Sequence, residues 1–302
     1  MTGPRLQGKP TKSPFLLISR VGPHSLHDGW LPNDASFDVL LSSYDADLAH
    51  LAGNGVMVER RPGSKVAGYG RLIEDHQSLI RRYRYVALFD DDLQADTGDL
   101  ARLFHVAEQQ MLKIAQPALT ADSYFTYACL LQHKGFVLRH VNFIEMMCPF
   151  FRSDVLLEVA TLFDMGFESG IDLVWSGLTH RDLRDFAVID SITVRHSRPV
   201  GATKSVNGFV DGRIYETDIH AILGLFGMPW LPALPYGGLR DDQIYVESRL
   251  SLLLAALRLA DAIPIRSRKF RMRAISTYWR QLLSGRARNV RAVWPEELVR
   301  VA

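Results

Sequence analysis

The first apolar run along the chain, Pro14-Phe15-Leu16-Leu17-Ile18-Ser19, predicts a buried strand. After a loop holding Gly22 and Pro23, Phe37-Asp38-Val39-Leu40-Leu41-Ser42 predicts a second strand, and Val56-Met57-Val58-Glu59 a third. Between 69 and 84 the apolar positions Leu72, Ile73, Leu79 and Ile80 recur at helical spacing, and Tyr85-Val86-Ala87-Leu88-Phe89 then predicts another strand. Strands and helix alternating in this way predict an α/β fold: a mostly parallel sheet covered by helices. Farther on, 99–111 reads as a helix, 113–119 as a short strand, and 136–151 as an apolar, strand-rich stretch. Ser169-Gly170-Ile171-Asp172 matches a capping box with Ser169 as N-cap, opening a helix through 178. A last strand pattern covers 186–194 and ends at Arg195-His196. Beyond Gly201 the pattern turns helical, at 215–226 and 242–262, with a Pro/Gly/Trp loop at 227–238 between them. The expected organisation is a disordered lead-in at 1–13, one α/β domain at 14–200, and a helical C-terminal region at 201–302 that packs on it or extends it.

The apolar strand 85–89 stops abruptly in Asp90-Asp91-Asp92. Like charges a few ångströms apart raise one another's pKa unless a cation neutralises them. Asp-x-Asp at a strand end suits a hard, oxygen-loving ion, Mn²⁺ or Mg²⁺, with open positions for the oxygens of a substrate diphosphate. The plainer alternative is a loop of solvated acids before a helix starting near Thr97.

Composition narrows the picture. With 302 residues, 47% of them hydrophobic, the chain can bury one large core, and its net charge of +2 is too mild to imply nucleic acid. Cys129 and Cys148, in no zinc spacing, suit neither a disulfide framework nor structural zinc and fit a reducing, cytoplasmic setting. No apolar signal core follows Met1-Thr2-Gly3-Pro4-Arg5 and no run of about eighteen apolar residues occurs, so any membrane contact is expected to be peripheral, at the inner face.

Three further features carry candidate chemistry. Glu145 lies in the apolar string Phe143-Ile144-Glu145-Met146-Met147-Cys148, so it should be paired or face a cavity. Acceptor recognition is the functional reading, and an ion pair with Arg139 or Arg152 the structural one. Lys65 and Arg71 flank a Gly-rich stretch, 63–70, whose glycines permit close approach and whose cations offset phosphate charge; a plain surface loop is the alternative. Between 266 and 291 stand nine Lys/Arg and no acid, interleaved with Phe270, Met272, Ile275, Tyr278, Trp279, Leu282 and Leu283. That pattern suits an anionic membrane surface or a lipid-linked acceptor, or else a helix whose apolar side packs on the domain.

The succession of strand plus Asp-Asp-Asp, Gln116-Pro117-Ala118-Leu119, Glu145-Met146-Met147, Gly170-Ile171-Asp172 and Val188-Ile189-Asp190 leading to His196 resembles the family catalogued as domain of unknown function 707. That family is itself similar to glycosyltransferases of the GT-A fold. The resemblance covers roughly 80–201 and implies a nucleotide-sugar site on a GT-A-like, Rossmann-like sheet. It implies Asp90, Asp91 and Asp92 at the metal and ribose, His196 as a further ligand, and Arg20 at the nucleotide. It also implies Asp172 as the base of an inverting transfer, with Glu168 four residues earlier able to share the task. The expected activity is metal-dependent transfer of a sugar from a UDP-sugar to a hydroxyl of a glycan or lipid-linked acceptor. A Mg²⁺-dependent phosphoryl or nucleotidyl transferase, and a non-catalytic nucleotide-sugar or glycan-binding protein of the same fold, are the alternatives.

Overall fold

The computed structural model describes residues 5–32, 34, 36–199, 215–262 and 268–296. The expected helical onset at 201–214, and Arg266 of the basic segment, lie outside these residues. A large sheet runs through the molecule in the order β11 (Tyr245–Val246), β10 (Pro235–Arg240), β7 (Phe136–Val141), β9 (Phe186–His196), β6 (Ile114–Leu119), β8 (Phe150–Arg152), β4 (Tyr85–Leu88), β1 (Phe15–Val21), β2 (Asp38–Ser43) and β3 (Val56–Arg60), with β5 (Leu93–Gln94) pairing β9 to one side.

The parallel sheet expected from alternating strands and helices is realised by β3 (Val56–Arg60), β2 (Asp38–Ser43), β1 (Phe15–Val21) and β4 (Tyr85–Leu88). Every residue of β1 and β2 is buried, as a strand covered on both faces requires. Beyond β4 the sheet is mixed. The short β8 (Phe150–Arg152), which leads into helix α4 (Ser153–Glu158), runs antiparallel between β4 and β6 (Ile114–Leu119). β9 (Phe186–His196) lies parallel to β6 and antiparallel to β7 (Phe136–Val141). Helix α1 (Lys65–Asp75) and the short α2 (Gln77–Ile80) lead into β4. After the acids, α3 (Thr97–Gln109) is capped by the Asp96 side chain, which accepts from the amides of Gly98 and Asp99. Its Phe104 stacks on Phe15 with ring centroids 5.0 Å apart.

Several expectations need correction. The stretch 63–70 is not a loop beyond Ser64, because α1 begins at Lys65 and Gly68 and Gly70 are helical. A Cβ on Gly68 would sit 2.5 Å from the Arg20 guanidinium, so close packing rather than loop freedom explains that glycine. The capping box is not formed either. Helix α5 (Ile171–Thr179) has Gly170 as its N-cap at φ 86°, with no side-chain cap bond.

The C-terminal region adds strands as well as helices. The Pro/Gly loop contains β10 (Pro235–Arg240), antiparallel to β7, and β11 (Tyr245–Val246) extends the edge. Cβ atoms on Gly237 and Gly238 would lie 2.7 Å from Val246 O and from Phe136, so the glycines that mask this strand in the sequence let it approach its neighbours. Among the described residues the helices here are α6 (Tyr215–Leu225), α7 (Arg249–Leu257), α8 (Leu259–Ala262) and α9 (Arg268–Ser284). The lead-in is not loose from residue 7 onward. Gln7 pairs with Val58 and Lys9 with Asn54, and Thr11 donates its amide and its hydroxyl to Asp38, at 2.9 and 2.6 Å. Sheet-edge pairing and one buried carboxylate supply the order that apolar content does not.

Candidate functional site

The acids leave β4 at its C-terminal end, where Phe89 N donates to Ile18 O (2.9 Å) and Asp90 N to Met147 O (3.0 Å). β9 is what brings His196 to them. Its register with β6 jumps from Pro117↔Ile189 to Ala118↔Thr193, so the strand bulges at 190–192 and its end turns to pair antiparallel with β5 (Leu93–Gln94). Leu93 then faces His196, and the imidazole Nε2 lies 3.2 Å from Asp92 Oδ2. The bulge is held by Asp190, whose carboxylate receives Arg139 Nε at 2.7 Å and Nη2 at 3.0 Å with both side chains fully buried. Arg139 is therefore not the partner of Glu145, and Arg152 pairs with Asp154 instead.

The three acids have different surroundings. Asp90 is taken by Lys65, whose ammonium lies 2.5 Å from each carboxylate oxygen; burial still pushes this acid up, with Asp92 adding to the push and Lys65 opposing it. Asp91 points into the loop after β1: its Oδ2 accepts from Gly22 N at 2.9 Å, and its other oxygen lies 3.5 Å from Arg198. Its backbone carbonyl accepts from Leu26 N at 2.7 Å, so Asp91 holds that loop in place. Asp92 is buried against a rise in its pKa, but the hydrogen bond and charge of His196 outweigh that and hold it low. Its Oδ1 is buried without a hydrogen-bond partner.

His196 Nδ1 lies 2.8 Å from the Tyr124 carbonyl and must carry hydrogen there. Nε2 can then face Asp92 in two ways: as an imidazolium, consistent with a pKa raised against its burial by Asp92, or with a cation between the two. Asp92 and His196 thus fit a hard divalent ion. Among the described residues no three acid, imidazole or thiol groups converge closely enough to hold one alone. One or two protein carboxylates completed by substrate phosphates is the usual arrangement for such ions.

A second cluster lies beside the first. Glu145 is 7% exposed; its amide donates to Gln116 Oε1 at 2.9 Å, and its Oε2 is buried with no partner. Burial, then the charge of Asp172, pushes its carboxyl up to about 7. Asp172, in the first turn of α5, accepts from Met146 N at 3.2 Å, so the backbone of 145–146 ties the two acids together. The Tyr127 and Tyr215 hydroxyls are pushed far up by burial and then by Asp172, so they stay protonated donors beside it. No sequence motif marks these tyrosines or Arg198, and only the fold gathers them.

Other expected ligands are committed elsewhere. Arg20 is 2% exposed and donates to Ser42 Oγ and to the carbonyls of Arg61, Gly63 and Ser64, fixing the turn before α1. Its guanidinium lies 4.4 Å over the Tyr44 ring. Glu168 accepts from Ser64 Oγ and from Val66 N, so it caps α1 instead of joining Asp172. Arg71 is exposed on α1. A cavity of about 650 Å³ opens at the opposite end of β4, but Arg84 and Arg152 in its lining are spent on Glu108 and Asp154.

A family model described as "Protein of unknown function (DUF707)" matches residues 69–140. No curated protein matches the sequence significantly. Among solved structures the chain is similar to GalNAc-T7 with UDP, GalNAc and Mn²⁺, at 9% identity and a TM-score of 0.46 over 70% of this chain and 48% of that one. It thus spans about half the length of that protein. It is also similar to S. aureus TarS 1-349 in complex with UDP-GlcNAc, at 10% identity and a TM-score of 0.44 over 89% of this chain and 90% of that one.

Proposed function

We propose that this chain is a metal-dependent glycosyltransferase that moves a sugar from a UDP-sugar to a hydroxyl of a glycan or lipid-linked acceptor, with inversion. The observation that carries the reading is the pairing of Leu93 with His196, which sets an imidazole nitrogen 3.2 Å from Asp92 beside a buried, unpartnered carboxylate oxygen. Asp92 and His196 would hold Mn²⁺ or Mg²⁺. When bound, such an ion supplies Lewis-acid stabilisation of the departing diphosphate.

Lys65 and Arg198 bring positive charge to the same rim, each now balanced by an acid that a bound diphosphate would replace. Asp172 is the base of the proposal, taking the acceptor proton as the new bond forms. Glu145, half-protonated near neutrality, orients the acceptor hydroxyl through its free Oε2. Arg20, Asp91 and Glu168 act behind these groups by fixing the loops that carry them. Two buried free thiols, Cys129 and Cys148, suit a reducing cytoplasmic setting.

The test is to incubate the protein with Mn²⁺ and a panel of nucleotide sugars and measure released nucleoside diphosphate. Turnover that chelation abolishes and Asp92→Asn lowers at least about a hundredfold supports the reading. Turnover that Asp92→Asn leaves intact rejects the metal role, and nucleotide-sugar binding without turnover means a binding protein.

A further inference from the structure

The basic segment expected to offer an apolar side to a membrane does not do so. Helix α9 buries Ile275, Tyr278 and Leu282, at 0, 2 and 5% exposure, and Tyr278 OH reaches His133 Nε2 at 3.1 Å in the core. Its neighbour α7 behaves differently. That helix buries Leu252, Ala255 and Ala256 but leaves Leu250, Leu254 and Leu257 exposed at 64, 54 and 43%. At about 100° per residue the three exposed leucines fall within roughly 60° of arc, opposite the buried ones. They form an outward ridge.

The two helices are antiparallel neighbours: Arg249 donates to the Leu282 carbonyl at 2.6 Å, and Trp279 Nε1 to the Ala256 carbonyl at 2.8 Å. On α9, Lys269, Arg273 and Arg280 are exposed and fall within roughly 40° of arc, opposite its buried side chains. Leu283, 64% exposed, lies on that same side. Both outward faces therefore belong to one surface, a leucine ridge beside a row of cations. Neither helix contains an acid.

We propose that this surface seats on an anionic lipid bilayer, with Leu250, Leu254 and Leu257 at the headgroup–acyl boundary and Lys269, Arg273 and Arg280 against lipid phosphates. Apolar residues flanked by cations are the complement of such an interface. A second copy is a poor occupant, because a two-fold contact through this face would bring two rows of cations together. The proposal concerns a surface outside the acid site and stands whether or not the chain transfers sugars.

The test is flotation of the full chain with vesicles of phosphatidylcholine alone and with 30 mol% phosphatidylglycerol added, an anionic fraction chosen at roughly the level that gives a strong surface potential. Wild type should float with the anionic vesicles only, and less so as salt rises. Leu250→Gln/Leu254→Gln/Leu257→Gln should lower the partition coefficient about tenfold or more. Arg273→Glu/Arg280→Glu should lower it by at least about twentyfold, roughly fivefold for each cation removed. Circular-dichroism melting shows that each variant is folded; should the leucine variant melt early, the charge variant decides. The proposal is overturned if wild type stays out of the anionic vesicle fraction at low salt, or if folded variants bind as well as wild type. It is also overturned if wild type is a dimer that the leucine substitutions split, since the ridge would then be covered by a second copy.

Discussion

Glu145→Gln tests the electrostatics of the site without any assumption about substrate. Glu145 is 7% exposed, its Oε2 has no hydrogen-bond partner, and Asp172 is the charge that most raises its pKa after burial itself. Its carboxyl is pushed from 4.5 to about 7 in the folded protein. Between those values the folded chain holds a proton that the unfolded chain has released, so stability falls as pH rises through that window. At 1.36 kcal/mol per unit, the difference amounts to roughly 3 kcal/mol lost by pH 8. Glutamine keeps the shape and removes the ionisation. The variant should match wild type near pH 4.5 and be more stable at pH 8 by up to about 3 kcal/mol, roughly 6 °C in melting temperature for a chain of this size. Thermal melts at both pH values, with chelator and without nucleotide, measure it. A melting shift equal at the two pH values, or a variant less stable at pH 8, would refute the reasoning.

Other predictions follow from the same contacts. Arg139→Leu leaves Asp190 charged and buried and should cost about 3–5 kcal/mol in urea unfolding. Gly68→Ala forces a Cβ to 2.5 Å from Arg20 and should cost about 1–3 kcal/mol, whereas Gly224→Ala, with nothing within 4 Å in α6, should stabilise by about 0.5–1 kcal/mol; thermal melts of both check the contrast. His196→Ala should weaken binding of Mn²⁺ with UDP about tenfold or more in calorimetric titration. For wild type that affinity should decline as pH falls, beginning above 6.5, because the ion must displace a proton from an imidazole whose pKa is raised.

Much of the fold was legible in local patterns. The runs that became β1, β2, β3, β4, β6 and β9 are apolar and bounded by turn residues, and their strands start within one residue of expectation. Less legible were β10, whose glycines read as a loop, and the start of α1, where Gly68 and Gly70 are demanded by neighbours far away in sequence. Within the site, the Asp90–Asp92 triplet was visible because like charges at a strand end need explaining. The meeting of Asp92 with His196 depends on a bulge at 190–192, itself held by an Arg139 contributed by another strand, and no periodicity encodes that. Arg20, Asp91 and Glu168 carry the right charges for ligands, yet each is consumed by loop or helix-end groups distant in sequence. Charge type is written in the sequence; what a charge is spent on is a property of the packing.

The most direct test of the central claim is an anomalous difference map from crystals soaked with UDP and Mn²⁺. The account predicts one manganese peak in contact with the Asp92 carboxylate and His196 Nε2, with the UDP diphosphate on its open side. A diphosphate bound elsewhere, or a manganese peak away from Asp92, would contradict it.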